Sequence, residues 1–186
     1  MPPKVKVNRD DIVNAAVDII RSRGENAINA RTIAAKLDCS TQPIFSNFTS
    51  MDELRLAVTQ KADALYNSYL QREVDDGKYP AYKARGMAYI RFAKEEKELF
   101  KLLFMRNRTN TDDHYGDDSF QSTISFVQAY TGLNEADATM FHLELWAVVH
   151  GIATMFATGF LDLDWALVSK MISDAYFGLR KQYGME

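Results

Sequence analysis

Only three residues, Asp38-Cys39-Ser40, separate two short helical patterns near the amino end of this chain, and a gap that short cannot form a loop of its own. The first pattern, Ala30 to Leu37, sets Ile33, Ala34 and Leu37 on one side, with Asn29 placed as its N-cap. The second, Thr41 to Asn47, has Ser40 as its expected cap and Pro43 within the first turn, where a missing N–H is tolerated. Asp38 stands where such a turn commonly takes Gly, and Asp is among the few other residues that accept a left-handed backbone. Ahead of both, Asp10 or Asp11 can cap a longer helix whose Ile12, Ala16, Ile19 and Ile20 follow helical spacing, with Gly24 placed to end it. A packing helix followed by two brief helices around a tight turn is the tri-helical helix-turn-helix arrangement.

The remainder also reads as helix. Ser50 with Glu53 forms a capping box that opens a long helix through Leu54, Val58, Ala62, Leu65 and Tyr69 toward Val74. Residues 75 to 80 gather charge, Gly77 and Pro80, so the chain turns there. A helical pattern from Ala81 to Met105 breaks near Glu95 to Lys97, and Asn107 to Asp118 is a polar, acidic stretch expected to be a flexible loop. Ser119 to Tyr130 is one helix, Asn134 caps another to about Thr158, and Asp164 caps a last one carrying Trp165, Val168, Ile172, Tyr176 and Leu179 as a stripe. The expectation is an all-α fold of about nine helices: a DNA-binding module over residues 1–50, a connecting helix over 51–74, and an effector-binding and dimerisation module over 75–186.

Charge is distributed unevenly. Seven Lys/Arg against four acids between Met1 and Leu37 leave that segment at +3, so the rest carries −6 of the formal total of −3. Local rather than total potential governs nucleic-acid binding, and it favours the head. One cysteine cannot pair within the chain and no charged-then-apolar leader opens it, so a cytoplasmic protein is expected. The uncharged run Leu145 to Leu161 contains His150, Thr154 and two glycines and falls just short of a membrane span, which favours a buried soluble helix and no membrane partner. No nucleophile beside an evident base, phosphate-cradling Gly loop or paired carboxylates points to an enzyme.

A recognition helix needs apolar residues inward and hydrogen-bonding ones outward, because base edges are read by donors and acceptors. Ile44 and Phe48 can pack inward, leaving Thr41, Gln42, Ser46 and Asn47 for bases and phosphates. Gln42 or Asn47 can bond an adenine edge with two hydrogen bonds. Arg31 can hold a phosphate, and backbone N–H groups around Ala30 another. Lys4, Lys6 and Arg9 form a basic arm that either follows the DNA or is simply a solvated terminus.

Residues Val13 to Val58 resemble the TetR family of regulators. The resemblance rests on Ile28-Asn29-Ala30-Arg31-Thr32-Ile33-Ala34, Leu37-Asp38-Cys39-Ser40, Pro43-Ile44-Phe45-Ser46-Asn47-Phe48 and Glu53-Leu54 in the family's order and spacing. It implies DNA contacts at Arg31, Thr32, Thr41, Gln42, Phe45 and Asn47, with Ser40 as cap. The family usually has Tyr at the position of Phe45 and often Lys at that of Met51, so two phosphate contacts are missing here. Trp146 with His150-Gly151 is similar to the Trp-His-Gly pattern of one subgroup's C-terminal domain. That implies a helical effector-binding and dimerisation domain whose last two helices pair across a two-fold axis. A penultimate helix apolar nearly all round also needs cover on both sides, and Val149, Phe156, Val168, Ile172 and Tyr176 are its expected dimer residues.

Together these readings describe a ligand-responsive regulator. It is expected to be a repressor that binds a palindromic double-stranded DNA operator as a homodimer and is released by a small, apolar effector. The alternative is a dimeric helical ligand-binding protein that has lost useful DNA affinity, as Phe45 and Met51 permit. Phe92, Phe104, Met105, Phe126, Trp146 and His150 are candidate effector contacts, although the same residues describe an ordinary helical core, and Gly151 suits close helix packing. His114, His142 and His150 lack the spacing of a metal site, and no cofactor is expected. Cys39 fills a turn position that usually takes a small apolar residue, so packing explains it better than redox sensing.

Overall fold

A computed structural model describes residues 7–105 and 117–185. Among these residues the regular structure is entirely helical: α1 (Arg9–Arg23), a 3₁₀ turn (Glu25–Ala27), α2 (Ala30–Lys36), α3 (Gln42–Asn47), α4 (Met51–Asp75), α5 (Ala81–Glu95), α6 (Lys97–Phe104), α7 (Asp117–Thr131), α8 (Glu135–Thr158) and α9 (Trp165–Gln182). Lys4, Lys6, His114 and most of the expected loop from Asn107 lie outside the described residues.

Local chemistry accounts for most boundaries. The cap of α1 is Asn8 rather than Asp10 or Asp11: its side chain accepts from Asp11 N at 2.9 Å, while Asp11 accepts from Asn8 N at 3.0 Å. Asp11 therefore serves as the third helical residue of a reciprocal box. Asn134 and Asp164 cap α8 and α9 as their positions imply, accepting from Asp137 N and Leu167 N. α5 gives way to α6 at Glu96, whose φ of −123° and ψ of 51° leave the helical region.

Two compact units divide the chain, Met1–Ser68 with Glu96–Arg106, and Tyr69–Glu95 with Asn107–Glu186. In the first, α1 packs against α2, α3 and α6. α6 belongs to this head because Leu99, Phe100, Leu102 and Leu103 form a strongly one-sided apolar face, all of it buried. Arg21 on α1 also grips Glu96 with two hydrogen bonds of 2.8 and 2.6 Å. The head core otherwise comprises Ile12, Ala16, Ile19 and Ile20 with Ile33, Ile44, Phe48, Leu54 and Val58.

In the second unit α8 is the central element, packed by α5, α7 and α9. It is long and apolar enough to cross a membrane by composition, but Phe141, Leu145, Ile152 and Phe156 are buried within this unit. The close-approach glycine is Gly86 on α5, where an added Cβ would lie 3.3 Å from Val149 Cγ2. Gly151, expected to play that part, has open space beside it. Glu73, the buried charged residue among the described ones, is neutralised by Arg91.

Candidate nucleic-acid interface

Helix α2 is fastened before it can offer anything to a ligand. Asn29 Oδ1 accepts from both Arg31 N and Thr32 N at 3.0 Å, and Asn29 N donates to Thr32 Oγ1 at 3.1 Å. The Thr32 hydroxyl donates onward to Ala27 O at 2.8 Å. Of the N–H groups around Ala30 read as a phosphate site, those of Arg31 and Thr32 are thus already taken. Arg31 itself is exposed.

The turn takes the backbone form read from the sequence, with Asp38 at φ 49°. Ser40 is not the cap of α3: Thr41 holds that position in a helical conformation, without a side-chain bond to the helix. Ile44 N and Phe45 N both reach Thr41 O, so the first turn of α3 closes on Thr41 and not on Ser40. α3 is seated by Ile44, fully buried, and by Phe48 just beyond its end.

A clasp absent from the sequence reading closes the far end of α3. Arg9, counted there among the basic arm, lays its guanidinium 4.0 Å from the centre of the Phe48 ring, donates to Asn47 O at 2.7 Å and pairs with Glu53 at 2.8 Å. Glu53 also accepts from Thr49 N at 2.7 Å and from the Thr49 hydroxyl at 2.8 Å. Ser50 Oγ accepts from Glu53 N at 3.1 Å, as its half of the expected capping box, but the carboxylate reaches Thr49 instead of Ser50. No local sequence pattern signals this clasp, because Arg9 and Asn47 are 38 positions apart.

Hydrogen bonds from Thr49, followed by Arg9, hold the Glu53 carboxyl down from 4.5 to about 2. A carboxylate depressed on folding contributes stability that is complete above its unfolded value and lost as pH falls through the folded one. The head is therefore expected to weaken between pH 4.5 and about 2. Circular-dichroism melts across that window should show Glu53→Gln lacking this part of the dependence; an unchanged pH profile in the variant contradicts the clasp.

Outward, α3 shows Gln42, Phe45 and Ser46, with Phe45 56 % exposed, while Thr41 and Asn47 are half-buried. Arg31 lies in an open groove between α1 and α2 beside Arg23 and Lys36. Lys36 pairs with Asp18 at 3.2 Å. Amides, a ring and cations on one small helical head suit the edges and phosphates of a duplex.

The candidate effector residues are divided between the two units. Phe104, packed on Tyr66 and Phe100, and exposed Met105 belong to the head. In the second unit Phe92 is fully buried with its ring on Tyr69, whereas Phe126 packs with Tyr82 and Tyr130 and lies under Arg85. Trp146 stacks on His150 at 4.8 Å, and His150 Nδ1 is 2.9 Å from the Tyr89 hydroxyl. A second rung of the same kind joins Tyr82 to His142 Nδ1 at 3.0 Å. Burial lowers the pKa of both histidines, so the folded state favours neutral rings that can accept from the tyrosines.

The expected dimer residues require correction. Val149, Phe156, Val168 and Ile172 are buried inside the second unit, and Tyr176 is half-buried against Phe141 and Tyr82. They occupy the stripe that faces α5, α7 and the neighbouring helix. The opposite stripe exposes Met140, Leu143 and Trp146 on α8, and Leu167 and Phe177 on α9.

Residues 82–174, half of the chain, match the family model described as tetracyclin repressor-like, C-terminal domain. Two solved structures from Rhodococcus sp. RHA1 share the fold. A protein with unknown function has a TM-score of 0.74 at 22% identity over 98% of both chains. A TetR-like transcriptional regulator has a TM-score of 0.72 at 19% identity over 99% of both chains. No curated protein matches the sequence.

Proposed function

This chain belongs to the TetR family of transcriptional regulators, and from that we propose that it is a ligand-responsive repressor that binds a palindromic operator as a homodimer and lets go when a small apolar effector binds. The observation that carries the reading is the head itself. A packing helix and two short helices are locked by the Asn29 box, the buried Ile44 and the Arg9 clasp, and they leave Gln42, Phe45, Ser46 and Arg31 facing outward. Such a head places α3 in a major groove. Two copies would span half-sites roughly 34 to 36 Å apart, or a multiple of that.

The exposed apolar stripe of Met140, Leu143, Trp146, Leu167 and Phe177 supports pairing of two copies through α8 and α9, since soluble surfaces seldom leave so many large apolar side chains together. The effector acts on the second unit. Among the described residues the chain enters that unit inside α4 and leaves it between Glu95 and Glu96, and each of these glutamates is tied to its own unit. Tyr69 donates to Glu95 at 2.9 Å, and Arg21 grips Glu96. Movement of α5 is thereby passed to the head through the chain. If saturating candidate effectors never changed operator affinity, this switching part would be wrong.

The test is selection of bound fragments from the source organism's genome by purified protein at near-physiological salt. Enrichment of a palindrome, with affinity that falls steeply as salt rises, is the expected result. No enrichment at any protein concentration would favour a helical ligand-binding protein that has kept the scaffold without reading DNA.

A further inference from the structure

Two polar side chains of α3 are bonded back to the helix itself. Ser46 Oγ donates to Gln42 O at 2.9 Å, and Asn47 Nδ2 donates to Pro43 O at 2.8 Å while the Asn47 carbonyl holds Arg9. Pro43 has no donor and Ile44 is buried. The exposed side chains of α3 that make no bond back to its own backbone are the Gln42 carboxamide and the Phe45 ring, whereas Ser46 Oγ keeps only its capacity to accept. No charged residue occurs in the helix, so α3 meets a duplex with amide and hydrocarbon rather than with cations.

The two side chains are three positions apart and share a face. Along the helix axis that is about 4.5 Å, close to the ~3.4 Å between successive base pairs, so they can address neighbouring pairs. A ring without a hydroxyl cannot donate to a phosphate. More than half of its surface is in water, and displacing that water repays only against another apolar group. In the major groove the apolar group is the 5-methyl of thymine, and the partner of a two-bonded carboxamide is the N6/N7 edge of adenine.

We infer that Gln42 and Phe45 together make this protein a reader of neighbouring A·T pairs, with Gln42 on an adenine edge and Phe45 against a thymine methyl. The inference rests on the head being a DNA reader and specifies what it reads. Phe45 is then a specificity residue and not a weakened phosphate contact.

The experiment replaces thymines of the selected operator, one symmetric pair at a time, with deoxyuridine, which keeps every hydrogen bond and removes only the methyl. One such pair should weaken the wild type about fourfold per half-site, roughly fifteenfold for the two. Phe45→Ala, weaker from the start, should bind the thymine and uracil duplexes equally. Gln42→Ala should lose its preference for adenine at the adjacent pair. The substitution acts on the DNA, so no folding defect can imitate it. Unchanged wild-type affinity with uracil at every thymine overturns the inference, as does an equal loss in Phe45→Ala. In both cases the operator itself is still bound and the regulatory reading stands. If no genomic fragment is enriched at all, the reading and the inference fall together.

Discussion

Replacing Ile44 by Ala should abolish operator binding even though this side chain exposes nothing to DNA. Ile44 is the buried residue of a helix only six residues long, and it is fully enclosed. A helix so short has no stability of its own in water, because the cost of nucleation is never recovered within one or two turns. Its position depends on tertiary burial. Truncating a fully buried Ile to Ala costs about 2–5 kcal/mol, combining lost transfer energy with the cavity left behind. The chain offers a clean readout, since both tryptophans, Trp146 and Trp165, lie in the second unit. Tryptophan fluorescence should therefore melt as in the wild type while part of the circular-dichroism signal is lost at lower temperature and DNA binding disappears. Phe45→Ala, at an exposed position, should change stability by no more than about 0.5 kcal/mol and affect only binding. If Ile44→Ala melts like the wild type and still binds, α3 is held by something other than its buried residue.

The second large effect is expected at Phe141. Its ring is fully buried, stacked on Tyr82 at 6.2 Å and met edge-on by Tyr176 at 5.8 Å and Tyr183 at 5.7 Å. It joins residues of α5, α8 and the end of α9 in one cluster with Ile124, Val127 and Ala138. Phe141→Ala should cost about 3–5 kcal/mol, a large fraction of the roughly 5–15 kcal/mol that separates a folded domain from its unfolded chain. Tyrosine neighbours cannot collapse into the gap without breaking their own bonds, among them Tyr82 to His142 and Tyr183 to Glu144, so relaxation is limited. Here tryptophan fluorescence should shift to a much lower denaturant midpoint, the reverse of the Ile44 pattern. A midpoint within error of the wild type would mean that the aromatic cluster repacks freely and is no keystone of this unit.

These two substitutions also mark how far local pattern carries. Ile44 was legible as an inward residue because Ile44 and Phe48 recur at helical spacing. The caps Asn29, Asn134 and Asp164 were legible for the same kind of reason, since a cap bonds residues two or three positions away. Where a cap failed, it failed through geometry beyond the reach of composition. Ser40 has the right side chain, but the three-residue turn brings Thr41 into the helix and leaves Ser40 outside.

Burial partners were not legible in this way. Val149, Phe156, Val168 and Ile172 read as surface for a second copy because a helix apolar all round offers no local sign of which stripe faces its own chain. Phe92 and Phe126 read as one cavity wall, yet Phe92 lies on Tyr69 and Phe126 on Tyr82 and Tyr130.

The sequence by itself determined the helical fold class, the turn at Asp38, most helix boundaries and, on α3, the inward Ile44 and Phe48 with the outward Gln42 and Ser46, because each depends on bonds or periodicity spanning a few residues. Only the tertiary structure decided that α6 joins the head, that Arg9 is spent on Phe48, Asn47 and Glu53, and which stripe of α8 is left exposed. Those outcomes are set by contacts between positions far apart in the chain, whose energies depend on which apolar faces meet first and best, and nothing in the spacing of neighbouring residues encodes that choice.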